Sequence, residues 1–175
     1  LVENLLSVTR IEDGKMNLHL ETELIEEVIN EALNHISHKK DEHRIEVKAN
    51  DEFILAKIDA GLIIQVIINI VDNAIKYTPK GSMISIETFK HKDFVEIQIA
   101  DDGAGISDKD KEKLFEMFYT VKHEVIDGRR GLGLGLALCK AIIVAHGGNI
   151  AVKDNIPHGT IFSFTLPIKE VEIHE

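Results

Sequence analysis

The 175-residue chain contains one cysteine, Cys139. A lone thiol excludes a disulfide framework and a cysteine-based zinc site. Cys139 sits in an apolar helical run, so it reads as a buried, reduced thiol. No uninterrupted apolar run approaches the roughly 18 residues that a membrane span needs. The opening LVENLLSVTRIEDG reads as a polar-interrupted helix, so no signal peptide is expected. Positive charge is in short supply: 20 Lys and Arg against 30 Asp and Glu give a formal net charge of −10. That balance argues against nucleic acid, whose binding rests on phosphate neutralisation. No GxxxxGKS/T phosphate loop occurs. Neither an internal repeat nor a low-complexity tract is visible.

What is present is enough for one ordinary core, with 44% of residues hydrophobic. The most informative segment runs from Leu62 to Ile75 and is apolar nearly all the way round. A helix of that kind is a buried helix. Its exceptions are Gln65, Asn69, Asp72, Asn73 and Lys76, which helical spacing places on one stripe. Unpaired buried amides cost roughly 1–3 kcal/mol each, so the stripe must face something polar. Two readings fit: a polar network inside the core, or a ligand site with two carboxamides one turn apart.

Around that helix the pattern predicts a chain of short elements. Leu1, Leu5, Val8 and Ile11 form one side of a helix that stops at Asp13-Gly14. Met16, Leu18 and Leu20 alternate as in a strand. Thr22 is a plausible N-cap for a helix carrying Ile25, Val28, Ile29, Ala32, Leu33 and Ile36. Strands are predicted at Ile45–Val47, Phe53–Ile58, Met83–Phe89, Phe94–Ala100, Ile150–Lys153 and Thr160–Leu166. Turns are predicted at Pro79-Lys80-Gly81 and His91-Lys92-Asp93, and around Pro157. A long irregular stretch from Asp101 to Arg130 holds one short helix near Lys109–Phe118, and such a stretch marks a functional loop or lid. A final helix spans about Leu134–His146 and ends at Gly147-Gly148. The order is not a regular βαβ alternation. It implies an α/β two-layer sandwich with a mixed sheet and helices on one face.

Four segments carry candidate chemistry. Asn69 and Asn73 can reach one point, and carboxamide oxygens suit a hard cation such as Mg2+. Lys76, three residues on, is near enough to meet a phosphate. Asp101-Asp102-Gly103-Ala104-Gly105 follows a strand directly. It is either a simple Asp-Gly turn or a carboxylate acceptor beside backbone that a flat ligand can approach. Gly131, Gly133 and Gly135 open a helix, where converging N–H groups suit an anion; a flexible hinge fits them equally. Phe115 and Phe118 lie three apart on the short helix, either packing the loop onto the domain or positioning a lid.

Taken in order, these blocks resemble those of the ATP-binding domain of bacterial sensor histidine kinases, within the superfamily that also holds gyrase, Hsp90 and MutL. Residues 69–77, NIVDNAIKY, resemble the N box, and Asp101–Gly105 the G1 box. Phe115–Phe118 resembles the F box and Gly131–Gly135 the G2 box. The resemblance covers about residues 15–167, and residues 5–14 resemble the end of a dimerisation-domain helix. RRGLGLGLALCKAI, AHGG and the FSFTLP ending are most similar to the Kdp-type, potassium-responsive branch.

The resemblance implies the Bergerat ATP-binding fold for residues 15–170, after a helical stub at 1–14 and before a tail at 171–175. It implies ATP and Mg2+ as cofactors. Asp101 would accept from the adenine amino group, while Asn69 and Asn73 would hold Mg2+. Lys76 would touch phosphate, and Tyr77 would lie beside the nucleoside. Gly103, Gly105, Ile106 and Phe118 would complete the binding site. So would Arg129, Arg130, Gly131, Leu132, Gly133, Leu134 and Gly135, with the two arginines able to meet the terminal phosphate. Asn69, Asn73 and Lys76 would be the catalytic set. The implied partners are the dimerisation and phosphoacceptor domain of a parent kinase and a response regulator, here a transcription factor controlling potassium uptake. A cytoplasmic fragment of a membrane-anchored parent is implied, with no direct membrane contact of its own.

Two departures from the family pattern matter. Leu132 stands where many members carry Thr or Ser, so a hydroxyl contact to phosphate is lost. None of the nine histidines has the family's acceptor context of His, then Glu or Asp, then commonly Arg-Thr-Pro. The expected chain is therefore a fragment whose acceptor lies elsewhere. Against an ATPase of the gyrase or Hsp90 kind stands position 69. Those proteins are similar to one another in carrying Glu-x-x-x-Asn, whereas here Asn69 cannot act as a general base. A nucleotide-sensing module without transfer is the third reading.

Overall fold

The computed structural model describes residues 17–36, 43–48, 53–116 and 135–168. The order is β1 (Glu21–Leu24), α1 (Ile25–His35), β2 (Arg44–Val47), β3 (Leu55–Ile58), α2 (Ala60–Tyr77), β4 (Met83–Lys90) and β5 (Phe94–Asp101). There follow α3 (Asp108–Lys111), α4 (Gly135–Ala145), β6 (Ile150–Asp154) and β7 (Thr160–Pro167). Five strands form a mixed sheet in the order β2-β4-β5-β7-β6, and β1 pairs with β3 as a separate ribbon. Among the described residues, only β2 and β4 run parallel; the other pairs are antiparallel.

Period-two alternation builds the sheet. Ile84 and Ile86, Val95, Ile97 and Ile99, and Phe162, Phe164 and Leu166 all point inward. The other face is polar: Ser163 Oγ donates to Glu96 Oε2 at 2.9 Å, and Gln98 Nε2 to Glu96 Oε1 at 2.8 Å. Helices therefore cover one face, as the pattern predicts, and α2 is the central one, packed on both α1 and α4. Ile63, Val66, Ile67, Ile70 and Val71 of α2 have no exposed surface. At 18 residues with a mean hydropathy of 1.3, α2 is long and apolar enough to cross a membrane. Its packing beneath two helices and a sheet makes it a core helix instead, so the apolar-run criterion alone did not decide the matter.

Asp59 caps α2 through Oδ1, which accepts from Leu62 N at 3.3 Å. The same residue's N–H donates to His146 Nε2 at 3.1 Å, while His146 Nδ1 donates to the Ile142 carbonyl at 2.8 Å. This fixes the imidazole tautomer and ties the start of α2 to the end of α4. Thr78, extended and followed by Pro79, ends α2.

Three local expectations are corrected. Residues 17–20 form no strand; the strand is Glu21–Leu24. Thr22 is consequently a strand residue paired with Lys57, not an N-cap. Helix α1 lacks a side-chain cap, and its first N–H is satisfied instead by the Ile54 carbonyl at 2.9 Å from Ile25 N. Lastly, of the helix predicted near 109–118, the described residues up to 116 form one turn, Asp108–Lys111, capped by Ser107. Leu114 and Phe115 follow it in a turn, with Leu114 buried and Phe115 edge-on to Phe162 at 6.3 Å.

Candidate functional site

The polar stripe of α2 faces no simple interior. Gln65, Asn69, Asp72, Asn73 and Lys76 are all half-buried, on a helix whose Ile63, Val66, Ile67, Ile70 and Val71 are sealed. At Asn69 the stripe meets α4: a Cβ on Gly135 would stand 3.8 Å from Asn69 Cγ. Asn69 Nδ2 is buried without a hydrogen-bond partner among the described residues. Its neighbour is the Cys139 thiol, a weak acceptor only. Cys139 is fully buried, as expected from sequence, and burial pushes its pKa up to about 12. Its Sγ lies 3.7 Å from the Val66 carbonyl, so it is an inert packing residue.

The other end of α2 meets the end of β5. Asp101 is only 7% exposed, an unusual place for a carboxylate. Its Oδ1 accepts from Gly103 N at 2.9 Å and from Thr160 N at 3.3 Å. Burial raises the Asp101 pKa, the two backbone bonds oppose that shift, and the neighbouring Asp102 charge adds to it. Asp102 itself turns outward and accepts from Met83 N at 2.9 Å. Of the two adjacent acids, one anchors a loop and the other points inward.

Gly103 brings this acid to the helix. A Cβ there would fall 2.6 Å from Thr78 Cγ2, so only glycine lets the segment lie against α2. Thr78 is braced in turn. Its hydroxyl donates to the Ala74 carbonyl at 2.6 Å and therefore accepts from His43 Nε2 at 2.9 Å.

The structure thus joins two motif blocks to α2, Asp101–Gly105 at its C-terminal end and Gly135 at its middle. Tyr77 lies at the same end, 39% exposed, and Ile106 is half-buried beyond Gly105. Phe118, Arg129, Arg130, Gly131, Leu132, Gly133 and Leu134 lie outside the described residues. A groove of about 440 Å³ between the turn 79–82, residues 102–104 and His158 includes only Gly103 of the expected site; it is not the expected cleft.

Sequence reasoning missed Gly159 and Thr160. Thr160 supplies a backbone donor to Asp101, and a Cβ on Gly159 would lie 2.0 Å from the Asp101 carbonyl oxygen. The available signal was a glycine directly before the last strand, which often marks a close backbone approach.

A family model described as histidine kinase-, DNA gyrase B- and HSP90-like ATPase matches residues 58–170. The chain is 42% identical over 167 residues to the sensor protein KdpD of Clostridium acetobutylicum, covering 95% of this chain and 19% of that protein. It therefore spans about a fifth of that relative. The catalytic domain of histidine kinase ThkA superposes with a TM-score of 0.75 at 30% identity, covering 85% of this chain and 97% of that one. ThkA in complex with the response regulator protein TrrA gives a TM-score of 0.76 at 26% identity, covering 96% and 48%. These similarities agree with the Kdp-type features in the sequence. The chain belongs to the histidine kinase-, DNA gyrase B- and HSP90-like ATPase family, and its fold is that of a histidine kinase catalytic domain.

Proposed function

We propose that this chain binds ATP with Mg2+ and donates the γ-phosphoryl group to a histidine outside it, on the dimerisation domain of a longer sensor kinase. One observation carries the reading. A single polar stripe on a buried helix meets a buried carboxylate segment at one end and the start of a glycine-led helix near its middle. From Asn69 to Tyr77, the last residue of α2, is eight residues, about 12 Å of helix, comparable with the reach of a nucleoside triphosphate.

In this reading the Asp101 carboxylate accepts from the adenine amino group, with Tyr77 beside the nucleoside. Lys76 meets phosphate, and Gly135 follows the donors of residues 131–134. Asn69 and Asn73 hold Mg2+, which supplies charge neutralisation on the phosphates when bound. The donor set fits. No group of three or more His, Cys, Asp or Glu that could hold a metal occurs among the described residues. Mg2+ in phosphate sites takes one or two protein oxygens and completes its shell with phosphate and water. The orphaned Asn69 Nδ2 is an N–H donor in want of an acceptor, which a phosphate oxygen would supply, while its Oδ1 is the atom suited to the ion.

Phosphoryl transfer is mainly positioning and charge stabilisation, so the site needs no nucleophile of its own. Asn69 favours transfer over hydrolysis because a carboxamide cannot deprotonate water. We further propose residues 15–170 as the nucleotide domain, residues 1–14 as the end of a dimerisation helix, and a response regulator as the parent's downstream partner. The parent is anchored in the cell membrane and works on its cytoplasmic side.

The test mixes the 175-residue chain with a separately produced dimerisation domain and radiolabelled ATP. Label on that domain's histidine, with negligible steady-state hydrolysis by the chain alone, is expected. Rapid partner-free hydrolysis would transfer the assignment to an ATPase, and binding without label would leave a nucleotide-sensing module.

A further inference from the structure

The Asp101–Gly103 segment is gripped by the turn between β6 and β7. Asn155 Nδ2 donates to the Asp101 carbonyl at 2.8 Å, and Thr160 N donates to Asp101 Oδ1 at 3.3 Å. His158 Nδ1 stands 3.2 Å from the Gly103 carbonyl. The Asn155 bond has a particular place in the sheet. Pairing between β5 and β7 ends at Ala100 and Ile161, while Asp101 still pairs with Ile84 on the β4 side. The Asp101 carbonyl lies one residue past the β7 ladder, and the Asn155 amide stands where the next strand donor would be.

Asn155 is itself locked. Its Oδ1 accepts from Ile156 N at 2.9 Å, and its N–H donates to the Gly159 carbonyl at 3.0 Å. Those two bonds close the turn; only the Nδ2 bond crosses to β5. The turn-forming and Asp101-holding roles therefore belong to different atoms of one residue. A carboxylate is aimed by its own backbone, and site groups must be held to within about 0.5 Å to act.

Resting on the adenine reading of Asp101, we propose that Asn155 is a positioning residue for base selection: it fixes the Asp101 main chain so that the carboxylate meets an exocyclic amino group. It does not touch the nucleotide. Its effect falls on discrimination between bases and not on affinity for ribose and phosphates.

The probes are ATP and inosine triphosphate, which lacks the 6-amino group, titrated calorimetrically into the full chain. The variants are Asn155→Ala and Asn155→Ser. Serine keeps a short acceptor for the turn but cannot span to Asp101, so it retains the fold if alanine does not. Wild type is expected to prefer ATP, and both variants to narrow that preference about fivefold, the size of one neutral hydrogen bond. Inosine triphosphate affinity should stay within about twofold, and melting temperature near wild type for serine. An unchanged ATP preference in both variants overturns the proposal while leaving the Asp101 reading intact. An equal loss for both nucleotides also overturns it, since Asn155 would then serve only the fold. Wild type without any preference for ATP removes the adenine reading, and this proposal with it.

Discussion

Two corners of α2 are finished to different degrees. At its C-terminal end the Asp101 segment is held on every side before any ligand arrives: Gly103 and Thr160 donate to the carboxylate, Asn155 to the carbonyl, and Thr78 abuts Gly103. Near its middle, Asn69 faces Gly135 with a buried amide that has no hydrogen-bond partner among the described residues. The first corner resembles a preformed recognition site, where polar groups are satisfied and aimed. The second carries the cost of an unmet N–H donor, which a phosphate oxygen would offset. The contrast teaches that rigidity is concentrated where a base would be chosen. Polar vacancy lies where charge would be neutralised.

The strongest way to break the tied corner is Gly159→Ala. The added methyl would overlap the Asp101 carbonyl, at a φ of +112° that L residues rarely adopt. A loss of about 3 kcal/mol or more is expected in denaturant unfolding. A midpoint within error of wild type would mean that the corner yields easily, and the contrast with Asn69 would disappear.

Asp101→Asn comes next and separates function from stability. Nucleotide affinity should fall at least about a hundredfold by calorimetry, as when a site built around one hydrogen bond loses it. Stability should not fall. The folded Asp101 pKa is raised, so in the window just above the ordinary carboxylate value the folded state holds a proton that the unfolded chain has released. Stability from this group thus declines as pH rises through that window, and at neutral pH its ionised form opposes folding. The asparagine variant should melt no lower than wild type at pH 7 and lose any advantage below pH 4. For the same reason wild-type affinity for ATP should weaken on acidification, as the acceptor gains its proton. A variant that melts much lower at neutral pH would show the carboxylate to be structural.

How far this was legible in the residues varies by element. The α2 stripe, the β4–β5 hairpin and the inward acid that ends β5 were readable because each is a local pattern, a period of 3.6, a period of 2, or a strand–acid–glycine step. The ribbon was not. Glu21–Leu24 is four residues long and pairs with β3 more than thirty residues onward, so Thr22 presented only its local capping preference. The one-turn helix α3 was overextended because Leu114 and Phe115 look like helix-face residues while serving the core from a turn. The Thr160 contribution was hidden for a different reason. It is a backbone N–H, which every residue but proline possesses, so nothing in the side chain announces it.

The loose corner is sharpened by Asn69→Ala. Removing a half-buried polar side chain ordinarily destabilises, but here the amide nitrogen has only the weak Cys139 sulfur contact to lose. Unfolding free energy should stay within about 0.5 kcal/mol of wild type. The rise in ATP affinity on adding Mg2+ should shrink about tenfold, the loss of one ligand from a shell that phosphate and water largely fill. An undiminished Mg2+ effect would remove Asn69 from the ion's shell.

The smallest effect belongs to the brace behind the tied corner. Thr78→Val keeps Cγ2 against Gly103 but deletes the hydroxyl between Ala74 and His43. His43 is 6% exposed, and the carbonyl of Thr78 lies 3.4 Å from its Nε2. With the hydroxyl gone, that longer contact is what remains of its bonding to residue 78. A neutral hydrogen bond lost at a buried donor predicts about 1 kcal/mol of destabilisation, with nucleotide affinity changed less than about twofold. The methyl, not the hydroxyl, is what touches the Asp101 segment, so binding and stability should part company at this position. If affinity falls in step with stability, the brace reaches through Gly103 into recognition, and the rigid corner must be redrawn to include His43.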